Sequence, residues 1–319
     1  MNTLPLLMKR EYWEHRGGFL WTPVWTCAVI LVVTLAGIVT AEILGQRADV
    51  HIGISLSALH ADMSAQDVIA AGNALDLAQV MFGFVTCIAL FFVLFFYLLG
   101  ALYDDRRDRS VLFWKSLPVT DTATVAAKAL CAAFLAPLIA FVVSTIAYVV
   151  FLAMAVAWAA LHGFNALPAV AAAHPVGMFL RLLLTIPVDA LWALPTIGWL
   201  LFWSAWVRSK PFLWAVMLPL GAIFLNGWFS MLNLPHLTGA AELKDIGARL
   251  LLSIMPGGWL GSEGGFRFHF DEDNVMAMFD PAHVYALLAT PGLWIGAVAG
   301  LALLAATVWS RGRRIETSA

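Results

Sequence analysis

Long apolar runs alternate with short polar segments along this chain. Residues 17–41, 77–103, 129–161, 211–234 and 284–310 hold no charged side chain, and 182–207 holds one, Asp189. A helix needs about 20 apolar residues to cross roughly 30 Å of hydrocarbon. Lipid offers no partners for free backbone groups, so each run is expected to be helical. The pattern predicts an all-α polytopic membrane protein with six transmembrane helices, at about 17–43, 77–103, 129–161, 179–207, 211–234 and 284–310. The first run is too long, and follows too many polar residues, for a cleaved signal peptide.

The polar parts carry patterns of their own. In residues 1–16, Leu4, Met8 and Tyr12 fall on one helical stripe, while Lys9, Arg10 and Arg16 supply charge suited to anionic headgroups. This predicts an interfacial helix leading into span one, with Trp13 off the stripe. Residues 104–128, between spans two and three, begin with a mixed-charge run in which Asp105 and Arg109 are spaced as a helical pair. Val111, Phe113, Trp114 and Leu117 follow. Pro118 ends that helix, and Thr120 or Asp121 caps the next one, which runs into span three. Aromatic residues among charges suit either a headgroup layer or a docking surface. Residues 208–211 form a tight turn. In the large loop 235–283, Ile246 to Met255 is apolar but too short to span. Pro256-Gly257-Gly258 breaks it, which suggests a re-entrant or interfacial helix held against the bundle.

Composition narrows the class. Of 319 residues, 62% are hydrophobic and 12% charged, about half the ~25% charge of a soluble domain. A soluble globular enzyme is excluded, as are disorder and collagen. Lys and Arg fix orientation. With the N-terminus in the cytoplasm, Lys9, Arg10, Arg16, Arg106, Arg107, Arg109, Lys115, Lys128, Arg208, Lys210, Arg311, Arg313 and Arg314 all lie inside. Only Arg47, Arg181, Lys244, Arg249 and Arg267 lie outside. Both termini, including the basic tail 311–319, are then cytoplasmic. Trp21, Trp206, Trp214 and Trp309 fall near the inner interface and Trp158 near the outer one, as aromatic belts do.

Candidate chemistry is sparse. Asp189 is the one ionisable residue deep in an expected span, where a charge is costly and signals function by default. It suits contact with substrate, proton coupling, or a buried bond to a neighbouring helix or to backbone groups freed near Pro187 and Pro195. No lysine follows a glycine, so no Walker A loop exists; there is no HExxH and no GxSxG either. His51, His60, His162, His174, His236, His269 and His283 lie on the outer side, but no pair has ligand spacing. Asp271-Glu272-Asp273 lacks the EF-hand pattern, so no metal site is expected. Cys27, Cys87 and Cys131 lie in apolar stretches and form neither a disulfide framework nor a CxxC motif.

Several segments resemble the ABC-2 type transporter permeases, the membrane subunits of bacterial ABC transporters. Lys9-Arg10-Glu11-Tyr12-Trp13-Glu14 is similar to the amphipathic connecting helix ahead of span one. Leu102 to Ser110, followed by Phe113-Trp114-Lys115-Ser116-Leu117-Pro118, resembles the first cytoplasmic loop of one branch. Trp203-Ser204-Ala205-Trp206 and Pro211-Phe212-Leu213-Trp214-Ala215 resemble that branch's turn between spans four and five. The resemblance implies a type V exporter-like architecture in the bacterial inner membrane. A second permease subunit, identical or homologous, would pair with this one. Two separate ATPase subunits would bind the ATP and Mg, so the chain itself would be no enzyme and would hold no cofactor. No nucleic-acid partner is implied. Asp104, Asp105, Arg106, Arg107, Arg109, Phe113, Trp114, Lys115 and Leu117 would form the coupling helix, with aromatics seated in the ATPase and arginines setting register. The alternatives are a proton-coupled secondary transporter using Asp189 and a membrane-embedded enzyme or anchor.

Overall fold

A computed structural model describes residues 3–47, 64–107, 119–232, 240–261 and 279–316. Among these residues all regular structure is helical and no strand occurs. Six helices are long and apolar enough to cross a membrane: Gly17–Thr40, Ala65–Arg107, Asp121–Leu161, Leu167–Trp206, Pro211–Met231 and Pro291–Arg313. The chain is therefore described as a multi-pass helical membrane protein.

Helix α1 (Thr3–Arg16) bends at His15 and passes through one widened turn, Gly17–Trp21, into α2 (Thr22–Arg47). The elbow is pinned by Phe19, which is fully buried and meets the Tyr97 ring edge-on at 5.0 Å. At the elbow Gly18 leaves room that a Cβ would take from Val93 Cγ1, 2.7 Å away. The face of α1 turned to the bundle is Leu7 and Glu11. Leu4, Met8 and Tyr12, the stripe seen in the sequence, flank that face half-buried.

Helix α3 (Ala65–Ala101) starts at Ala65, ahead of the apolar run, because Ser64 and Asp67 form a capping box: Asp67 N–H donates to Ser64 Oγ at 3.2 Å, and Ser64 N–H to Asp67 Oδ2 at 3.0 Å. Its Leu90, Leu94 and Leu98 are buried and form the middle of the main core. A short helix, α4 (Tyr103–Arg107), continues it. Thr120 caps α5 (Asp121–Leu130) by accepting from Ala123 N–H at 3.1 Å. A widened turn at Cys131–Leu135 then leads into α6 (Ala136–Leu161).

After α7 (Leu167–Ala172), helix α8 (Pro175–Trp206) runs unbroken through Pro187 and Pro195. Lys210, in the left-handed region at φ 54°, turns the chain into α9 (Pro211–Met231). Helix α10 (Ala240–Leu252) packs across α8 and α9, and ends in turns that include Gly257 at φ 76°. This is the short apolar segment of the large loop, and it lies against the bundle. The last apolar run is divided: 284–290 belongs to α11 (Pro281–Ala286) and a following 3-10 turn, and α12 (Pro291–Glu316) begins afresh at Pro291. Proline lacks an N–H and sits readily in a first helical turn.

Helices α8 and α12 cross most closely. A Cβ on Gly198 would stand 2.5 Å from Gly300 O, and one on Gly300 would collide with the Leu194 backbone. Small residues at such crossings let helices approach in lipid. Gly300→Ala is expected to lower stability by about 1–3 kcal/mol, the usual cost of overpacking. Thermal unfolding in detergent would reveal no change if the crossing were loose. Away from these contacts, large apolar side chains such as Val32, Phe224 and Ile295 face outward, as lipid-facing surface does.

Candidate functional site

Two polar constellations interrupt this apolar bundle. The first lies at the end that carries both chain ends. Glu11 of α1 meets Lys128 of α5 at 3.0 Å, and both are 2% exposed. Tyr97 Oη donates to Glu11 Oε2 at 3.0 Å. Lys128 also reaches Asp105 Oδ2 at 3.5 Å, and Arg311 Nη1 of α12 lies 3.9 Å from the same oxygen. Arg311 Nε donates to Asp121 Oδ1 at 2.7 Å. Carboxylates and cations thus alternate through Glu11, Lys128, Asp105, Arg311 and Asp121, tying α1, α4, α5 and α12 together. Ser204 at the end of α8 joins the group: its Oγ accepts from the N–H groups of Leu102 and Tyr103 at 3.0 Å each. Arg106 donates to Ser204 O and, at 3.0 Å, to Val207 O. Charges buried in this way hold only with close geometry and full hydrogen bonding.

The residues expected in the coupling loop divide. Asp105 and Arg106 are half-buried in this knot, whereas Asp104 and Arg107 are exposed. Arg109, Phe113, Trp114, Lys115 and Leu117 lie outside the described residues, as does the expected Asp105–Arg109 pair. Of the residues assigned to the interfacial helix, Lys9 is exposed and Arg10 pairs with Glu14 at 3.3 Å along α1. Tyr12 meets Trp13 edge-on at 5.6 Å, and Arg16 lies over the exposed Trp13 ring.

Sequence reasoning placed Lys128 among the topology-setting cations and Glu11 inside a motif, and did not pair them. A signal was present. Val125, Lys128, Ala129 and Ala132 share one helical face, and the lysine stands among small apolar residues there.

The second constellation surrounds Asp189. Its Oδ1 accepts from Gly257 N–H at 2.9 Å and Trp259 Nε1 at 2.8 Å, and its Oδ2 from Thr185 Oγ1 at 3.0 Å. Asp189 therefore fastens the turns after α10 to the middle of α8. Asp189→Ala is expected to strip the Gly257 and Trp259 donors of their acceptor, at about 1–3 kcal/mol for each group left buried. The segment after α10 should then become open to protease while the bundle stays folded. An unchanged digestion pattern would refute that fastening role.

Nearby, the Arg249 guanidinium lies 3.9 Å over the Trp192 ring. Burial lowers its pKa from the ordinary value, and the ring face offsets part of that cost. Among the described residues no group of three or more His, Cys, Asp or Glu side chains is placed to hold a metal ion. His174 instead meets Asp76, its N–H donating to Asp76 Oδ1 at 2.9 Å.

Comparisons with protein-family models, with curated proteins and with solved structures found no match.

Proposed function

We propose that this chain is the permease subunit of an ATP-binding-cassette exporter, paired with a second permease subunit and driven by two separate ATPase subunits that hold the ATP and Mg. The residues quoted above for the ABC-2 resemblance are the ground for the family. The observation that carries the mechanism is how residues 104–128 are held. At the front of this segment, Asp105 and Arg106 are bonded to the knot and to the end of α8. At its back, Asp121 and Lys128 are bonded to α12 and α1. A force applied to the intervening residues therefore reaches helices α1, α3, α5, α8 and α12 through short polar links rather than soft apolar contacts.

The energetic logic follows from two-state coupling. An ATPase that closes on ATP shifts the bundle only if it binds one bundle state better than the other. Phe113 and Trp114 would provide the buried anchors and Arg107 and Arg109 the register. On this reading the knot lies on the cytoplasmic side of a bacterial inner membrane, with both termini inside and α10 outside. Asp189 accepts three hydrogen bonds from its own chain. That gives it a structural task and weighs against the competing reading, proton-coupled transport through Asp189.

Sidedness is the test. A single cysteine at Ser116, in a chain with Cys27, Cys87 and Cys131 replaced, should react with a membrane-impermeant maleimide only in inverted vesicles. A cysteine at Ser262 should react only in right-side-out cells. Reaction of Ser116→Cys from the outside removes the coupling role.

A further inference from the structure

We infer that the cavity beneath Asp189 is a binding site for a small protonated amine with a compact apolar body. The inference does not rest on the ATP-driven reading, because it concerns what the lone chain binds. The cavity lies between α3, α6 and α8, is roofed by the turns after α10, and measures about 110 Å³.

Its lining is one-sided in hydrogen-bonding character. Ser144 and Thr145 both turn their hydroxyl hydrogens to Phe141 O, at 3.0 and 2.8 Å. Trp259 and Gly257 direct theirs onto Asp189, and Thr185 has both Asp189 Oδ2 at 3.0 Å and Leu182 O at 2.9 Å as acceptors for its hydroxyl hydrogen. Gln79 Nε2 donates to Pro175 O at 3.4 Å. What remains among the lining side chains is mostly acceptor capacity, in the two hydroxyl oxygens, the Asp189 carboxylate and Gln79 Oε1, against the second N–H of Gln79 and the Cys87 thiol as donors. Gln79 is 4% exposed, and its Oε1 has no hydrogen-bond partner. A buried polar atom left unpaired is costly, and natural proteins seldom leave one without a reason.

Charge points the same way. Among the described residues no cation forms an ion pair with Asp189, whose three donors are all neutral. A carboxylate at this depth is poorly compensated by neutral dipoles alone. An ammonium group carries three donors and no acceptor, which matches a lining rich in acceptors around a carboxylate. Carboxylates and phosphates are disfavoured there by the like charge of Asp189. The ring surfaces of Phe141, Trp259 and Phe279 suit both an apolar body and a cation. The volume suits a body no larger than one ring with a short tether, since cavities of roughly 150 Å³ take up benzene.

The test uses 4-fluorobenzylamine, titrated into the purified chain in detergent and followed by fluorine NMR, with empty micelles subtracted. The neutral isostere 4-fluorobenzyl alcohol is titrated in parallel. The amine is expected to saturate at one site and to bind about 10- to 100-fold tighter than the alcohol, as charge-assisted bonding to a carboxylate requires. Asp189→Asn should remove that preference. Gly83→Leu tests the location without touching a polar group. Gly83 lines the cavity, and nothing lies within 4 Å of where its Cβ would stand. The Cβ meets open space, so the added side chain is expected to enter the cavity and to abolish saturation while the helical circular dichroism is unchanged. Equal binding of amine and alcohol overturns the proposal. So does a titration that Gly83→Leu leaves as it was.

Discussion

Lys128→Met is expected to be among the most damaging single substitutions in the chain, at about 3–5 kcal/mol, because it strands buried carboxylates without their cation. Glu11 has Lys128 as its close ion-pair partner at 3.0 Å, and Asp105 loses the 3.5 Å approach of the same lysine while keeping Arg311 at 3.9 Å. The methionine fills much the same volume, so lost packing contributes little. The paired change Glu11→Gln with Lys128→Met should recover a large part of the loss, since it removes both charges and leaves Tyr97 with an acceptor. Differential scanning fluorimetry of the three variants in one detergent separates the cases. If the double variant is as unstable as the sum of the singles, the pair is not coupled, and the knot fails as a unit.

The second large effect follows from the proposed coupling to ATPase subunits. Arg107→Ala combined with Trp114→Ala should weaken retention of the ATPase subunits by about 30-fold or more. That corresponds to losing one aromatic anchor worth ~2 kcal/mol, with the arginine adding further. Arg107 is exposed at the end of α4, and its neighbour Arg106, not Arg107, donates to Ser204 O and Val207 O. The readout is ATP hydrolysis and band intensity after purification through a tag on the permease, compared at equal melting temperature. A complex that keeps full hydrolysis and full retention with both side chains removed would show that this loop does not dock the ATPase.

Hydrophobic pattern carried the helices, and its errors have physical causes. Apolar run length marks where lipid is crossed, not where a helix begins. The capping box at Ser64 and Asp67 starts α3 at Ala65, in sequence that reads as polar loop. The cap after Pro118, by contrast, was legible as Thr120 or Asp121, and Thr120 is the one that caps the helix. The run at 284–310 hid the break at Pro291, since an apolar residue counts the same in a 3-10 turn as in a span. Asp189 stood out by its depth, but two of its three partners lie far along the chain, at Gly257 and Trp259, where only the Pro-Gly-Gly break hinted at a returning segment. The knot was the least legible part. Each of its charges has an ordinary reading as a topology determinant or a helix-end residue. Pairing across 117 residues, as between Glu11 and Lys128, leaves no periodic trace.

A gate moved by another protein, as proposed for this chain, should leave its native membrane with that protein attached. The measurement is purification of the tagged chain in mild detergent, followed by ATP hydrolysis in the eluate. An ATPase subunit is expected at equal stoichiometry with this chain, with hydrolysis that disappears when that subunit is stripped away. A chain that elutes alone, and moves a solute across proteoliposomes on a proton gradient without ATP, would contradict that proposal.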